Sequence, residues 1–208
     1  MKPTLIERGC MMTLLLIAGC RTGASDSPNA GAGTPAAAST AWLATGTVPA
    51  ALAVPPGATL KLHDHGVGAQ IYTCAATSGA NGAAPGHSWA LKAPDAKLYD
   101  ARGVQVGTHG AGPKWTASDG SVATAKKIAD SPSPLPDAIP WLLLRVSSTT
   151  GAGAFSDVGY VQRLGTVGGK APLTGCDSTA TGTELRVDYT AEYYFYAGGA
   201  GAAPAAAP

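Results

Sequence analysis

The sequence predicts an all-β domain, an antiparallel sandwich or a barrel-like fold with long Gly/Pro-rich loops, and three observations carry that prediction. Apolar and polar residues alternate with period two in roughly nine short runs. Gly, Pro and Asp-Gly punctuate those runs at short spacing. No useful length of chain shows the three-to-four spacing of an amphipathic helix. A sandwich and a barrel place the same demands on sequence, so both stay open.

The chain opens with a processing segment. Lys2 and Arg8 precede the apolar run Met11 to Ile17, which is too short to span a bilayer and suits an export signal. The run ends in Leu16-Ile17-Ala18-Gly19-Cys20, which resembles a bacterial lipobox. It predicts cleavage of residues 1–19 and acylation of the Cys20 thiol with palmitate-type chains, giving a lipoprotein held by buried methylenes rather than by a transmembrane helix. Arg21 follows the lipidated position instead of an aspartate, which favours the outer membrane of a Gram-negative cell. The expected address is the cell envelope, facing the periplasm or the exterior. Residues 20–41 are Ala, Gly, Ser, Thr and Pro with almost no bulky side chain, the composition of a flexible tether. Residues 197–208 have the same character and are expected to form a disordered tail, leaving 42–196 as one β-rich domain.

Within that domain, Pro55-Pro56-Gly57 is the first punctuation, and Thr59 to His65 and Val67 to Ala75 read as two strands around Gly66. Gln70, Tyr72 and Cys74 share one face of the second. Ser88 to Lys92 resumes the pattern, and Pro94-Asp95 is expected to stop it. Lys97-Leu98-Tyr99 and Val104-Gln105-Val106 flank Asp100 to Gly103, the best hairpin signal in the chain. From Val104 to Ala123 the reading is strand, Gly/Pro loop carrying His109 and Trp115, an Asp119-Gly120 turn, then a strand from Ser121 to Ile128. Ser131 to Pro136 is a proline-rich loop. Trp141 to Val146 is apolar on both faces except at Arg145, the mark of a strand covered on both sides. In Val158 to Thr166, Val158, Tyr160, Gln162 and Leu164 oppose Gly159, Val161 and Arg163. The longest run is last: Leu185, Val187, Tyr189, Ala191, Tyr193 and Phe195 line one face, and Arg186, Asp188, Thr190, Glu192, Tyr194 and Tyr196 the other.

Charge narrows the partners. Loss of Lys2, Arg8 and Glu7 with the leader leaves 12 residues of each sign, a near-neutral chain with no electrostatic footprint for nucleic acid. With Cys10 in the leader and Cys20 given to lipid, Cys74 and Cys176 remain in an exported chain, and a disulfide between them is favoured over a free nucleophile or a metal ligand.

Several strings stand in order along the domain: Gly68 to Cys74, His109 to Trp115, Asp119-Gly120-Ser121, Ile139 to Leu144, Gly168 to Pro172, Gly175-Cys176-Asp177 and Tyr189 to Tyr196. Together they resemble the bacterial and fungal family known as domain of unknown function 3455, over roughly Ala53 to Tyr196. The family's His-x-x-Gly-Pro-x-Trp string is matched by His109, Gly112, Pro113 and Trp115. The resemblance implies a secreted or surface-tethered β-rich domain and brings no catalytic residue with it. The loop Ser78 to Gly86 and the pair His63 and His65 depart from the pattern.

Three chemistries compete. A non-catalytic binding or structural module would use His109, Trp115, Tyr194 and Tyr196 as an aromatic surface for a small ligand, a glycan or a protein. A hydrolase-type enzyme would need His109 oriented by Asp119, beside Ser118 or Ser121, although no Gly-x-Ser-x-Gly elbow exists. A metal site would need His63 and His65, which share one strand face, to meet a third ligand. The binding module is the leading expectation. No cofactor is expected, since no glycine-rich run is followed by a strand-to-helix transition and no calcium loop is present.

Overall fold

The computed structural model describes residues 47–79 and 85–198. The expected signal, Cys20, the tether and Trp42 lie outside those residues, as does the tail from 199 onward. Eight strands follow in chain order: β1 (Ala58–Thr77), β2 (Gly86–Tyr99), β3 (Gln105–Gly110), β4 (Lys114–Ala117), β5 (Val122–Ser131), β6 (Trp141–Thr150), β7 (Val158–Gly168) and β8 (Glu184–Gly198). Each pairs antiparallel with the next, and β8 pairs back onto β1, so the sheet closes into an up-and-down barrel. Of the two architectures compatible with the sequence, the barrel is the one formed.

Four local expectations are corrected. Gly66 does not divide two strands but continues β1, because it faces the barrel interior where a Cβ would collide with the ring of Tyr193. Pro94 does not stop β2: pairing with β3 begins only at Ala96, so the missing N–H of Pro94 faces a side without a ladder partner. The Gly/Pro loop around Trp115 contains a strand of its own, β4, paired to β3 through His109 and Trp115. Ala197 and Gly198 extend β8 rather than opening the tail. The Asp100 to Gly103 hairpin forms as expected, with Gly103 at φ 77° and the Asp100 carboxylate accepting the backbone N–H of Arg102 and Val104.

Closure fixes an interior that must be filled, and the sequence fills it asymmetrically. Trp115, Phe155, Tyr189, Tyr193 and Phe195 are buried against Ala96, Ala117, Ala123, Ala125 and Ala191, small residues that leave room for the rings. Outside the barrel, Trp141, Leu143, Tyr160 and Leu164 of β6 and β7 are capped by Leu52 from a single 3-10 turn, Ala50–Leu52. The apolar double face of Trp141 to Val146 is thereby explained, with Leu144 and Val146 packing inside and Trp141 and Leu143 outside.

In an up-and-down barrel alternate connections gather at opposite ends. At one end Asp119 and Ser121 of the β4–β5 turn accept the N–H groups of Ala154 and Phe155, seating the Phe155 ring against Phe195 at 4.8 Å as a plug. At the other end, Cys74 near the end of β1 is bonded to Cys176 in the β7–β8 connection, which also returns Thr183 and Gly182 to Cys74 by backbone hydrogen bonds.

The expected disulfide is thus formed across 102 residues of sequence. On the loop-entropy account it limits the unfolded chain by about 4 to 5 kcal/mol. Reduction, or Cys74→Ser with Cys176→Ser, is expected to lower the thermal midpoint by about 10 °C or more, measured by circular dichroism.

Candidate functional site

The plug closes one end, and the opposite end opens because β3 and β4 are short. They have 6 and 4 residues against 14 in β2, so Leu91 to Pro94 of β2 stand beyond the tip of that hairpin, Ala111 to Pro113. The gap is a cavity of about 570 Å³, walled by these residues, by Lys127 of β5, by Pro140, Leu142 and Leu144 at β6, and by Arg163 of β7. Gln70, His109, Trp115 and Tyr193 complete it.

His109 and Trp115 face each other across adjacent strands and stack at 4.5 Å and 10°. Tyr193 lies tilted against His109 at 5.2 Å and in edge-to-face contact with Trp115 at 5.9 Å. The His109 Nδ1–H donates to the Lys114 carbonyl at 3.0 Å, which leaves Nε2 as an acceptor. Burial drives its pKa down to about 3, against the opposing pull of that backbone bond, so the ring is neutral at every physiological pH. Gln70 and Trp115 are each 1% exposed, yet Gln70 Nε2 and Trp115 Nε1 have no hydrogen-bond partner among the described residues. Native interiors rarely leave such donors unpaired, and each costs roughly 1 to 3 kcal/mol.

Arg163 lies directly across the ladder from Tyr193. Its Nε and Nη2 donate to the Pro140 carbonyl. No carboxylate pairs with it among the described residues.

The sequence brought two of these residues into view, His109 and Trp115, and missed Gln70, Arg163 and Tyr193. The other expected partners lie elsewhere. Tyr194 and Tyr196 point outward, on the face of β8 opposite Tyr193. Both pack with the Leu52 cluster, where the Tyr196 hydroxyl donates to Gln162, and they form no platform with Trp115. His109 and Asp119 do not converge. Asp119 is held in its turn by the Ser121 hydroxyl and by the N–H groups of Ser121 and Ala154, which keep its carboxyl below the usual range. The oriented base that a hydrolase requires is therefore not assembled by these two residues.

His63 and His65 meet an acid, but as a clamp. Both donate to the Glu192 carboxylate, His63 Nε2 at 2.7 Å and His65 Nδ1 at 2.8 Å, while His63 stacks on Tyr194. Burial alone would raise the Glu192 pKa, but the two imidazole donors outweigh it and hold it at about 2. Among the described residues no three His, Cys, Asp or Glu side chains are arranged to hold a metal ion.

The family described as "Protein of unknown function (DUF3455)" matches residues 55–197. No curated protein and no solved structure matches the chain.

Two pH effects follow from the interior. Between pH 6.5 and about 3 the unfolded chain binds a proton at His109 that the folded chain refuses, so acid lowers stability by about 1.4 kcal/mol per unit from this group. His109→Phe is expected to flatten the slope over that window by one proton, measured by urea unfolding at stepped pH. Asp64 behaves oppositely. It is buried, and desolvation raises its pKa to about 6, so the folded state gives up stability as pH rises from 3.8 to 6. Asp64→Asn is expected to stabilise the domain at pH 8 by about 1 to 3 kcal/mol and to change little at pH 3.5; equal effects at both pH values would refute the assignment.

Proposed function

The chain belongs to the DUF3455 family, and from the cavity we propose that it is a binding module, taking a small organic molecule into the open end of the barrel. The observation that carries this reading is the open cavity of about 570 Å³, large enough for such a molecule and lined by Gln70 and Trp115, whose side-chain nitrogens have no partner among the described residues. A packed core fills a space of that kind or pairs its polar groups; a ligand site leaves both waiting. Eight strands are also the size at which a barrel interior holds either side chains alone or one small ligand. Here the plugged end does the first and the open end the second.

The lipobox-like string at Cys20 supports a lipid-anchored domain in the cell envelope, where the open end would meet small solutes or neighbouring envelope molecules. The disulfide agrees with an oxidising compartment. An enzymatic role finds no support in His109 and Asp119, which stay apart.

A thermal-shift screen of small organic molecules against the full-length chain tests the reading. A ligand at a hundred times its Kd is expected to raise the midpoint by about 5 to 10 °C. Leu142→Trp, which fills the cavity, is expected to abolish the shift, and survival of the full shift in that variant would place the ligand elsewhere. In the native host, Cys20→Ser is expected to move the chain from the membrane to the soluble fraction.

A further inference from the structure

We infer that the ligand of the open end is an organic carboxylate with an apolar body, its acid group held by Arg163. This assignment rests on the proposed binding role and adds the chemical class.

Three cationic side chains, Lys92, Lys127 and Arg163, line the cavity, and among the described residues no Asp or Glu does. The two lysines are already paired, Lys92 with Glu184 and Lys127 with Asp130. Arg163 is different. It donates to the neutral Pro140 carbonyl, and among the described residues no carboxylate compensates its charge. Its field reaches the interior: the positive charge acts on Tyr72, His109, Tyr189 and Tyr193. A partly buried guanidinium without a counter-ion is costly, and an incoming anion would supply the missing one.

The other donors have the same preference. Gln70 Nε2 and Trp115 Nε1 offer N–H groups and take no protein acceptor, and the neutral His109 adds no second positive charge. One guanidinium matches a single negative charge spread over two oxygens, the geometry a planar fork recognises. A dianionic phosphoryl group would leave one charge unmatched. Leu91, Pro94, Pro113, Pro140, Leu142 and Leu144 surround these donors with apolar wall, which fits a hydrocarbon or aromatic body.

Calorimetric titration of the full-length chain with 2-naphthoate, 2-naphthamide and 2-naphthyl phosphate tests the class. The acid is expected to bind about tenfold or more tightly than the amide of the same shape. Arg163→Met, which keeps an apolar stem but removes the charge, is expected to bring acid and amide to the same affinity. The acid-to-amide comparison on the unaltered chain needs no variant to fold, so it decides the matter even if Arg163→Met does not. Equal binding of acid and amide overturns the carboxylate assignment and leaves the binding reading standing. Tighter binding of the phosphate overturns it in favour of a phosphoryl group. Binding of none of the three overturns this assignment, while the wider thermal-shift screen separately decides whether the pocket binds anything.

Discussion

The seam between β1 and β8 is the constraint on which the rest of the barrel depends. A meander without it would be an open sheet with two exposed edges, and its interior face would have nothing to pack against. The seam is long, running from Ala58 opposite Gly198 to Thr73 opposite Glu184. It carries its own side-chain lock, since the Glu192 carboxylate of β8 receives N–H donors from His63 and His65 of β1. On the inner side of the same seam, Gly66 and Gly68 of β1 lie opposite Ala191 and Tyr189 of β8. Any Cβ at Gly66 would meet the Tyr193 ring, and one at Gly68 the backbone of β2. The seam thus sets which interior volume is available to the large rings.

That volume is used in two ways along one axis. Near the plug the aromatic rings contact each other, Trp115 and Phe195 edge to face at 5.9 Å and Phe155 tilted by 35° against Phe195. Towards the open end the packing gives way to hydrogen-bonding groups of mixed kind: a neutral imidazole, an indole N–H, an amide and a guanidinium. The change coincides with the ends of β3 and β4, where the wall between β2 and β5 drops away. A shortened hairpin is therefore what converts a filled barrel into one with a pocket, and the cavity's floor is the top of the hydrophobic core itself.

Much of this was legible in the sequence as pattern, and less as direction. Period-two alternation assigned Gly159, Val161 and Arg163 to one face of β7 and Tyr160, Gln162 and Leu164 to the other, but both faces are buried, one by the interior and one by Leu52. Nothing in a single strand tells which of two covered faces lies inside, so Arg163 was not recognised as an interior charge. The same holds on β8, where Tyr193 is inside and Tyr194 and Tyr196 are outside, so an aromatic cluster in sequence splits into two unrelated ones. Pro94 misled for a different reason. A proline excludes a paired N–H, and the sequence could not show that β3 ends before reaching it. Cys74 and Cys176 were readable because counting and compartment, not geometry, decided them. Closure itself was not readable, since pairing of the first and last strands is a property of all eight together.

The open end also explains where the covalent staple belongs. Two buried N–H donors and a guanidinium that find no acceptor and no carboxylate, respectively, among the described residues are destabilising features, each costing roughly 1 kcal/mol or more, and all three residues line the half of the barrel that lacks a full wall. That half cannot recover stability by packing without losing the cavity. The disulfide of about 4 to 5 kcal/mol acts through the unfolded chain and leaves the interior untouched. It ties β1 to the β7–β8 connection, which further holds Trp89 of β2 through its N–H to the Thr174 carbonyl. Tyr72, two residues before Cys74, donates to the Gly169 carbonyl and anchors the beginning of the same connection. β1, β2 and the β7–β8 connection are thereby joined around the rim by bonds that do not occupy the cavity. A barrel end that keeps a cavity and unsatisfied polar groups draws its stability from its rim, and here the rim is where the cross-link is found.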